Sequence, residues 1–236
     1  HRGQEFGLER MGESIRQAVA AANLKMADIV AVGVATPGTM DIPAGVILDP
    51  PNLKPWRNVP VRDYVHKKFK LPTAFQNDAN AAAFGEFWVG AGKDVHSMVL
   101  FTLGTGVGGG IIIGDMVLEG EHSHGAEVGH MKIEMTKPRQ CGCGRWGCLE
   151  AYASATSVVK RALEALGKRG AKSPLKAQTS KEGGLSARDI FDASAAGDAL
   201  ADEIVEDTAY YLAIGAMNMM HTIDPNMVVY GGGMIA

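Results

Sequence analysis

Three cysteines and a histidine have the types and spacing that point most directly to chemistry. Cys141, Cys143 and Cys148, the only cysteines in the chain, all fall within "CGCGRWGCLE" (141–150). An odd number in one cluster does not build a disulfide framework, and a C-x-C pair closes a small, strained ring. Three thiolates are, however, three of the four ligands Zn²⁺ takes in a tetrahedron, and His130 in "EVGHMKIE" is the candidate fourth. A closed Cys₃His site leaves no position for a substrate, so its expected role is structural: it ties a loop down. Gly142, Gly144 and Gly147 suit a short loop that folds around an ion through positive φ angles. Three unligated thiols in a loop are the alternative.

Two carboxylates bracket that loop. Glu127 precedes His130 by three positions and Glu150 follows Cys148 by two. A metal that fixes the loop fixes both, and pinned carboxylates can accept hydrogen bonds from neighbouring sugar hydroxyls; ordinary surface glutamates are the plainer reading. In "QNDANAAAF" (76–84), Asn77 and Asp78 sit where a strand meets a helix. Either caps the helix, as both residue types do well, or Asp78 is a catalytic carboxylate at the carboxyl end of a strand, where α/β folds place their sites.

Glycines cluster in "TLGTGVGGG" (102–110) and "YGGG" (230–233), each after a strand-like run. Such turns can crowd backbone N–H groups around a phosphate. Neither fits the P-loop pattern. "GTGVGG" matches a dinucleotide fingerprint by letter but runs into "IIIG", a strand rather than a helix, so a plain tight hairpin stays open.

The elements that must position these residues alternate. Leu8, Met11, Ile15, Val19 and Ala22 recur at helical spacing and predict a helix over 8–24. "IVAVGVATPG" (29–38) reads as a buried strand, 41–60 as loop, "VRDYVHKKFK" as a short helix, "LPTAFQND" as a strand and "ANAAAFGEFWVGAG" as a helix. Three consecutive strands follow: "SMVLFTLG", "VGGGIIIG" and "DMVLEG". "LEAYASATSVVKRALEALGK" reads as one long helix, "SPLKAQTSKEGGL" as a flexible surface segment, "SARDIFDASAAGD" and "ADEIVEDTAYYLAIGAMNMMHTI" as helices, and "NMVVYGGG" as a last strand. Strands mixed with helices and hairpins predict α/β with a mixed sheet. The stretch "AGKDVH" predicts a boundary between a smaller lobe (1–93) and a larger one (94–236).

Composition narrows the class. The 236 residues carry a net charge of −3, which signals neither a nucleic-acid surface nor a membrane-seeking face. No apolar run reaches the roughly 18–20 residues of a membrane span, and the opening "HRGQEFGLER" has no signal-peptide core. The expectation is a cytoplasmic protein.

In order along the chain, "ATPGTMD", "NLKPW", "NDANAAAFGE", "LGTGVGGGII", "EVGHMKIE" with "CGCGRWGCLE", and "DPNMVVYGGG" resemble the ROK family of sugar kinases and sugar-responsive repressors. The resemblance runs from about Ile29 to Gly233 and is closest to the family's glucokinases. It implies an actin-like, ribonuclease H-like ATPase fold with two lobes around a cleft, ATP with Mg²⁺, structural zinc, and assembly as a dimer or tetramer. It implies that Asp78 takes the proton from a hexose 6-hydroxyl. Asn52, Asn77, Glu127, His130 and Glu150 would hold the sugar, with His130 giving its other nitrogen to zinc. Gly104, Thr105 and Gly106, with Gly231, Gly232 and Gly233, would meet the nucleotide.

The chain departs from the family pattern at both ends. The Asp-x-Gly-x-Thr turn that meets the phosphates is not found before Leu24, and no helix follows "GGG". The expectation is a chain lacking its first strands and last helix, with low activity of its own. The open alternatives are kinases for N-acetylmannosamine, mannose, allose or fructose, polyphosphate as donor, a sugar-sensing regulator whose DNA-binding part lies ahead of this sequence, and a non-catalytic assembly subunit.

Overall fold

The structure, a computed structural model, describes residues 3–50, 53–168, 172–180 and 183–235. Chain contacts group it into two compact units: His1–Ala82 with Glu119–Gly125, and Ala83–Leu118 with Ala126–Ala236. The sequence reading drew a single cut at 93/94.

In the first unit, β1 (Val32–Thr36) runs parallel to β4 (Thr73–Asn77), and the register sets Thr36 beside Asn77. Within the stretch expected to be loop, β2 (Met40–Asp41) and β3 (Val46–Ile47) form a short antiparallel pair. Met40, Ile42, Ile47, Val59, Val61 and Phe75 make the core, and Leu8, Met11 and Trp56 pack against it. Helix α1 spans Gln4–Ala21 rather than 8–24. It stops there because Asn23 takes a left-handed conformation, φ +57°, which ends a helix. Helix α2 (Val61–Phe69) packs on β4. Residues 119–125, far away in sequence, are stapled to this unit: the Ile42 amide donates to Ser123 Oγ at 3.0 Å and Gln76 Nε2 to Glu119 Oε1 at 2.7 Å.

The second unit is built on β5 (Ser97–Leu103), β6 (Val107–Ile113), β7 (Met116–Val117) and β8 (Met227–Gly231), a four-stranded mixed sheet in the order β7–β6–β5–β8. The β5–β6 pair is antiparallel and β5–β8 parallel. Side chains alternate across a strand, so β5 feeds two cores. Met98 and Leu100 pack with Ala83 and Phe87 of α3 (Asp78–Val89). Val99, Phe101 and Leu103 pack with Leu149, Ala153 and Met219. Helix α8 (Ala199–Ile223) is capped by Asp198 Oδ1, which accepts the Ala201 amide at 2.7 Å.

Residues 149–168 are not one helix. Ser154 is extended (ψ 157°) and its Oγ accepts the Ser157 amide, so α4 (Glu150–Ala153) ends and α5 (Ala155–Leu166) begins afresh. The stretch expected to be a flexible surface segment contains α6 (Leu175–Gln178), and its Leu175 and Leu185 are buried with Val158 and with Ile190 of α7 (Ala187–Ala195). Among the described residues no helix is long and apolar enough to cross a membrane.

Candidate functional site

The loop that carries the cysteines is an irregular antiparallel pair. Ile133 and Leu149 amides donate to the Gly147 and Met131 carbonyls, both at 2.9 Å, and the chain turns back between them. His130 ends a single 3₁₀ turn (Val128–His130) that lies so close to β6 that a Cβ on Gly129 would overlap the Val107 carbonyl. Gly144 and Gly147 do take positive φ, +82° and +75°; Gly142 does not. This backbone brings ligand atoms of His130, Cys141, Cys143 and Cys148 within 4.8 Å of one another. The Cys143–Cys148 sulfur separation is 3.8 Å, and so is that from Cys141 Sγ to His130 Nδ1. Tetrahedral Zn–S bonds of about 2.3 Å set sulfurs about 3.8 Å apart, so the donor set fits the ion in type, number and spacing. None of the three cysteines is in a disulfide. Burial pushes the Cys141 thiol well above its ordinary range. Burial also raises Cys143, but hydrogen bonds from the Arg145 amide and from Cys141 and Cys148 outweigh it and hold that thiol low. Lys132 Nζ donates to Cys148 Sγ at 2.8 Å, placing a cation against the sulfur cluster; nothing in the sequence pattern singled out that lysine.

His130 presents its nitrogens in opposite directions. Nδ1 faces the sulfurs, and Nε2 lies 4.0 Å from Glu127 Oε2. Glu150, the first residue of α4, shares its carboxylate: Oε1 accepts from Cys141 at 3.2 Å, while Oε2 accepts the Val107 amide at 3.1 Å. One side chain thus touches both the metal loop and the glycine turn. A Cβ on Gly106 would press on that carboxylate oxygen, so a larger residue there would have to displace the Glu150 side chain.

The glycine turn is a hairpin between β5 and β6, closed by the Gly104 amide donating to the Gly106 carbonyl at 3.0 Å. It is anchored from the α4–α5 junction: the Ala155 amide donates to the Gly104 carbonyl and Thr156 Oγ1 to the Thr105 carbonyl, both at 2.9 Å. The second glycine turn adjoins it. Gly232, at φ +106°, runs against the Leu103 backbone, and the Met234 amide donates to the Leu103 carbonyl at 3.2 Å. Gly104–Gly106 and Gly231–Gly233 therefore meet at the carboxyl ends of the parallel pair β5–β8.

In the first unit the local duties of Asn77 and Asp78 separate. Asn77 Oδ1 accepts the Ala79 and Asn80 amides at 2.9 and 3.2 Å, capping α3. Asp78, exposed at the carboxyl end of β4, meets the Ala79 amide through Oδ1 at 2.9 Å. Behind them lies a polar network that the sequence reading missed, because its partners Gln76 and Glu119 are 43 positions apart. Asn52 lies outside the described residues.

The ROK family model matches residues 1–236. The chain is 39% identical over 206 residues to a glucokinase of Halalkalibacterium halodurans, covering 87% of this chain and 62% of that protein, so it spans less than two thirds of that relative's length. Among solved structures, a ROK family glucokinase from Streptomyces griseus in complex with glucose and AMPPNP is 33% identical with a TM-score of 0.78, over 95% of this chain and 72% of that one. A ROK family transcriptional regulator, a homologue of the E. coli Mlc protein, is 29% identical with a TM-score of 0.84, over 98% of this chain and 57% of that one.

Proposed function

The chain belongs to the ROK family and has its α/β, actin-like fold, and from that premise we propose that it transfers the γ-phosphoryl group of ATP to the 6-hydroxyl of a hexose, glucose first. Asp78 is the general base. Phosphoryl transfer asks a protein chiefly for positioning and charge neutralisation, so a base, a sugar clamp and amide-lined turns are the parts it needs. The observation that carries the reading is the division of labour at the head of α3. Asn77 supplies the cap to two amides, and the exposed Asp78 carboxylate meets the Ala79 amide through Oδ1, which leaves Oδ2 to a reacting hydroxyl.

Glu127, the Nε2 face of His130, and Glu150 are assigned to the sugar hydroxyls, together with Asn77 and Asn52. Gly104–Gly106 and Gly231–Gly233 are assigned to the nucleotide. His130, Cys141, Cys143 and Cys148 would hold zinc, which would brace the loop and take no part in phosphoryl transfer. Mg²⁺ arriving with ATP would neutralise phosphate charge. A cytoplasmic, homo-oligomeric protein suits reduced thiols and this chemistry.

A coupled assay with ATP, Mg²⁺ and glucose tests the reading. Asp78→Asn is expected to lower kcat by about 10²–10⁴-fold, the usual size of a general-base contribution. Turnover preserved in Asp78→Asn would remove the base from the scheme. The likeness to the regulator supports a second reading, a sugar sensor. Saturable glucose binding with no turnover in any protein containing this chain would favour it.

A further inference from the structure

Behind Asp78, the Gln76 side chain joins three partners. Its Nε2 donates to Glu119 Oε1 at 2.7 Å, and its Oε1 accepts the Asn77 amide at 2.8 Å and Asn80 Nδ2 at 3.3 Å. Asn80 is 3% exposed, and its own Oδ1 has no hydrogen-bond partner among the described residues. A carboxylate only accepts hydrogen bonds, whereas a primary amide has one accepting and one donating end. Glu119, which can only accept, and the Asn77 amide, which can only donate, together fix which way Gln76 faces: the NH₂ turns to Glu119 and the oxygen to Asn77 and to Asn80 in the first turn of α3. Glu119 is itself held, since its carbonyl accepts the Gly125 amide at 2.7 Å and Ser123 pins the same segment to Ile42.

We propose that Gln76 and Glu119 are positioning residues for Asp78: the carboxylate of Glu119 anchors the far end of the Gln76 side chain, whose oxygen holds the Asn77 amide and the Asn80 side chain on either side of the base. The inference rests on the kinase reading and on Asp78 as its base. It assigns Gln76 and Glu119 no contact with substrate. Their effect is to hold the carboxylate where the hydroxyl proton is taken, and misplacement by about 1 Å can cost 10²-fold in rate.

The test is an exchange of donor and acceptor, measured in steady-state glucose phosphorylation by an active protein that contains this chain. Gln76→Glu sets two carboxylates against each other, and kcat is expected to fall about tenfold with KM for glucose within twofold. Glu119→Gln can still turn its amide oxygen to Gln76 Nε2 but exchanges a charged acceptor for a neutral one, and a smaller fall, about threefold, is expected. Combining the two restores one acceptor facing one donor. The carboxylate introduced by Gln76→Glu would still accept from Asn77 and Asn80, so the double variant is expected to recover to within twofold of the parent. Additive losses in the double variant, or single variants with parental kcat, overturn the proposal. A fall confined to the thermal midpoint, with kcat unchanged, overturns it too, because that is what a merely structural role produces. Asp78→Asn runs alongside. If it abolishes turnover while the swap series is flat, the positioning inference alone fails. If it turns over like the parent, or no protein containing this chain turns over glucose, the kinase reading fails and takes the inference with it.

Discussion

The loop of residues 130–150 and the corner where β4 meets α3 both hold polar side chains still, by different means. The loop gathers four soft or borderline ligands within 4.8 Å, with Cys141 and Cys148 buried among Ala151 and Tyr152. Its backbone pairing is thin: isolated bridges join Lys132 with Cys148 and Gln140 with Trp146. The β4–α3 corner has no such ligand set. It stands on a parallel strand pair, a helix cap and the Gln76–Glu119 hydrogen bond, next to a core that includes Phe75. On the zinc reading, the loop depends on an ion, while the corner is held by protein atoms alone.

Metal removal gives the largest contrast. A strong chelator is expected to lower hydrogen-exchange protection of the Ile133, Gly147 and Leu149 amides by about 100-fold or more, because binding energy at such a site is also folding energy. Amides of β4 and the first turn of α3 should not respond. Equal loss in both regions would break the comparison. Next in size is Gly129→Ala. The new methyl meets the Val107 carbonyl, and a stability loss of about 1–3 kcal/mol in denaturant titrations is expected, with weaker metal retention. Asn77→Ala removes the α3 cap and is expected to cost about 1 kcal/mol, with the metal loop unaffected.

The smallest effect concerns Arg139, which ties the loop to α5 through a two-pronged pair with Glu164 at 2.7 and 2.9 Å. That hydrogen bond holds the Glu164 carboxyl below its ordinary range. A depressed carboxyl contributes stability above its unfolded-state value and loses it as pH falls through the lower folded value. Glu164 is half exposed, so the contribution is a few tenths of a kcal/mol to about 1. Arg139→Met should flatten that acid-side decline; an unchanged pH–stability curve would show the pair to be idle.

The two regions also differ in how much of them could be read from the sequence. Cysteines and histidine announce a ligand set by type, and the structure brings Cys141, Cys143, Cys148 and His130 together. The β5–β6 hairpin and the β5–β8 pairing follow from apolar runs ended by glycines. At 149–168, helical periodicity hid the break at Ser154, because the residues on both sides are good helix formers and only the serine cap marks the new start. The sequence leaves Asn77 and Asp78 both open as caps; in the structure Asn77 Oδ1 accepts the Ala79 and Asn80 amides and Asp78 Oδ1 the Ala79 amide alone. Gln76 and Glu119 were invisible for a different reason: neither type is distinctive, and their meeting depends on a tertiary staple.

The segment 119–125 also bears on the order of events during synthesis. Gln76 leaves the ribosome 43 positions ahead of its partner, at about 5–20 residues per second, so the β4–α3 corner waits roughly 2–9 s for Glu119. During that interval β1 and β4 can pair, but Gln76 lacks the acceptor that orients it and Ile42 lacks Ser123. A nascent chain stalled before Glu119 would lack both contacts, and one from which Gly125 has emerged could make them.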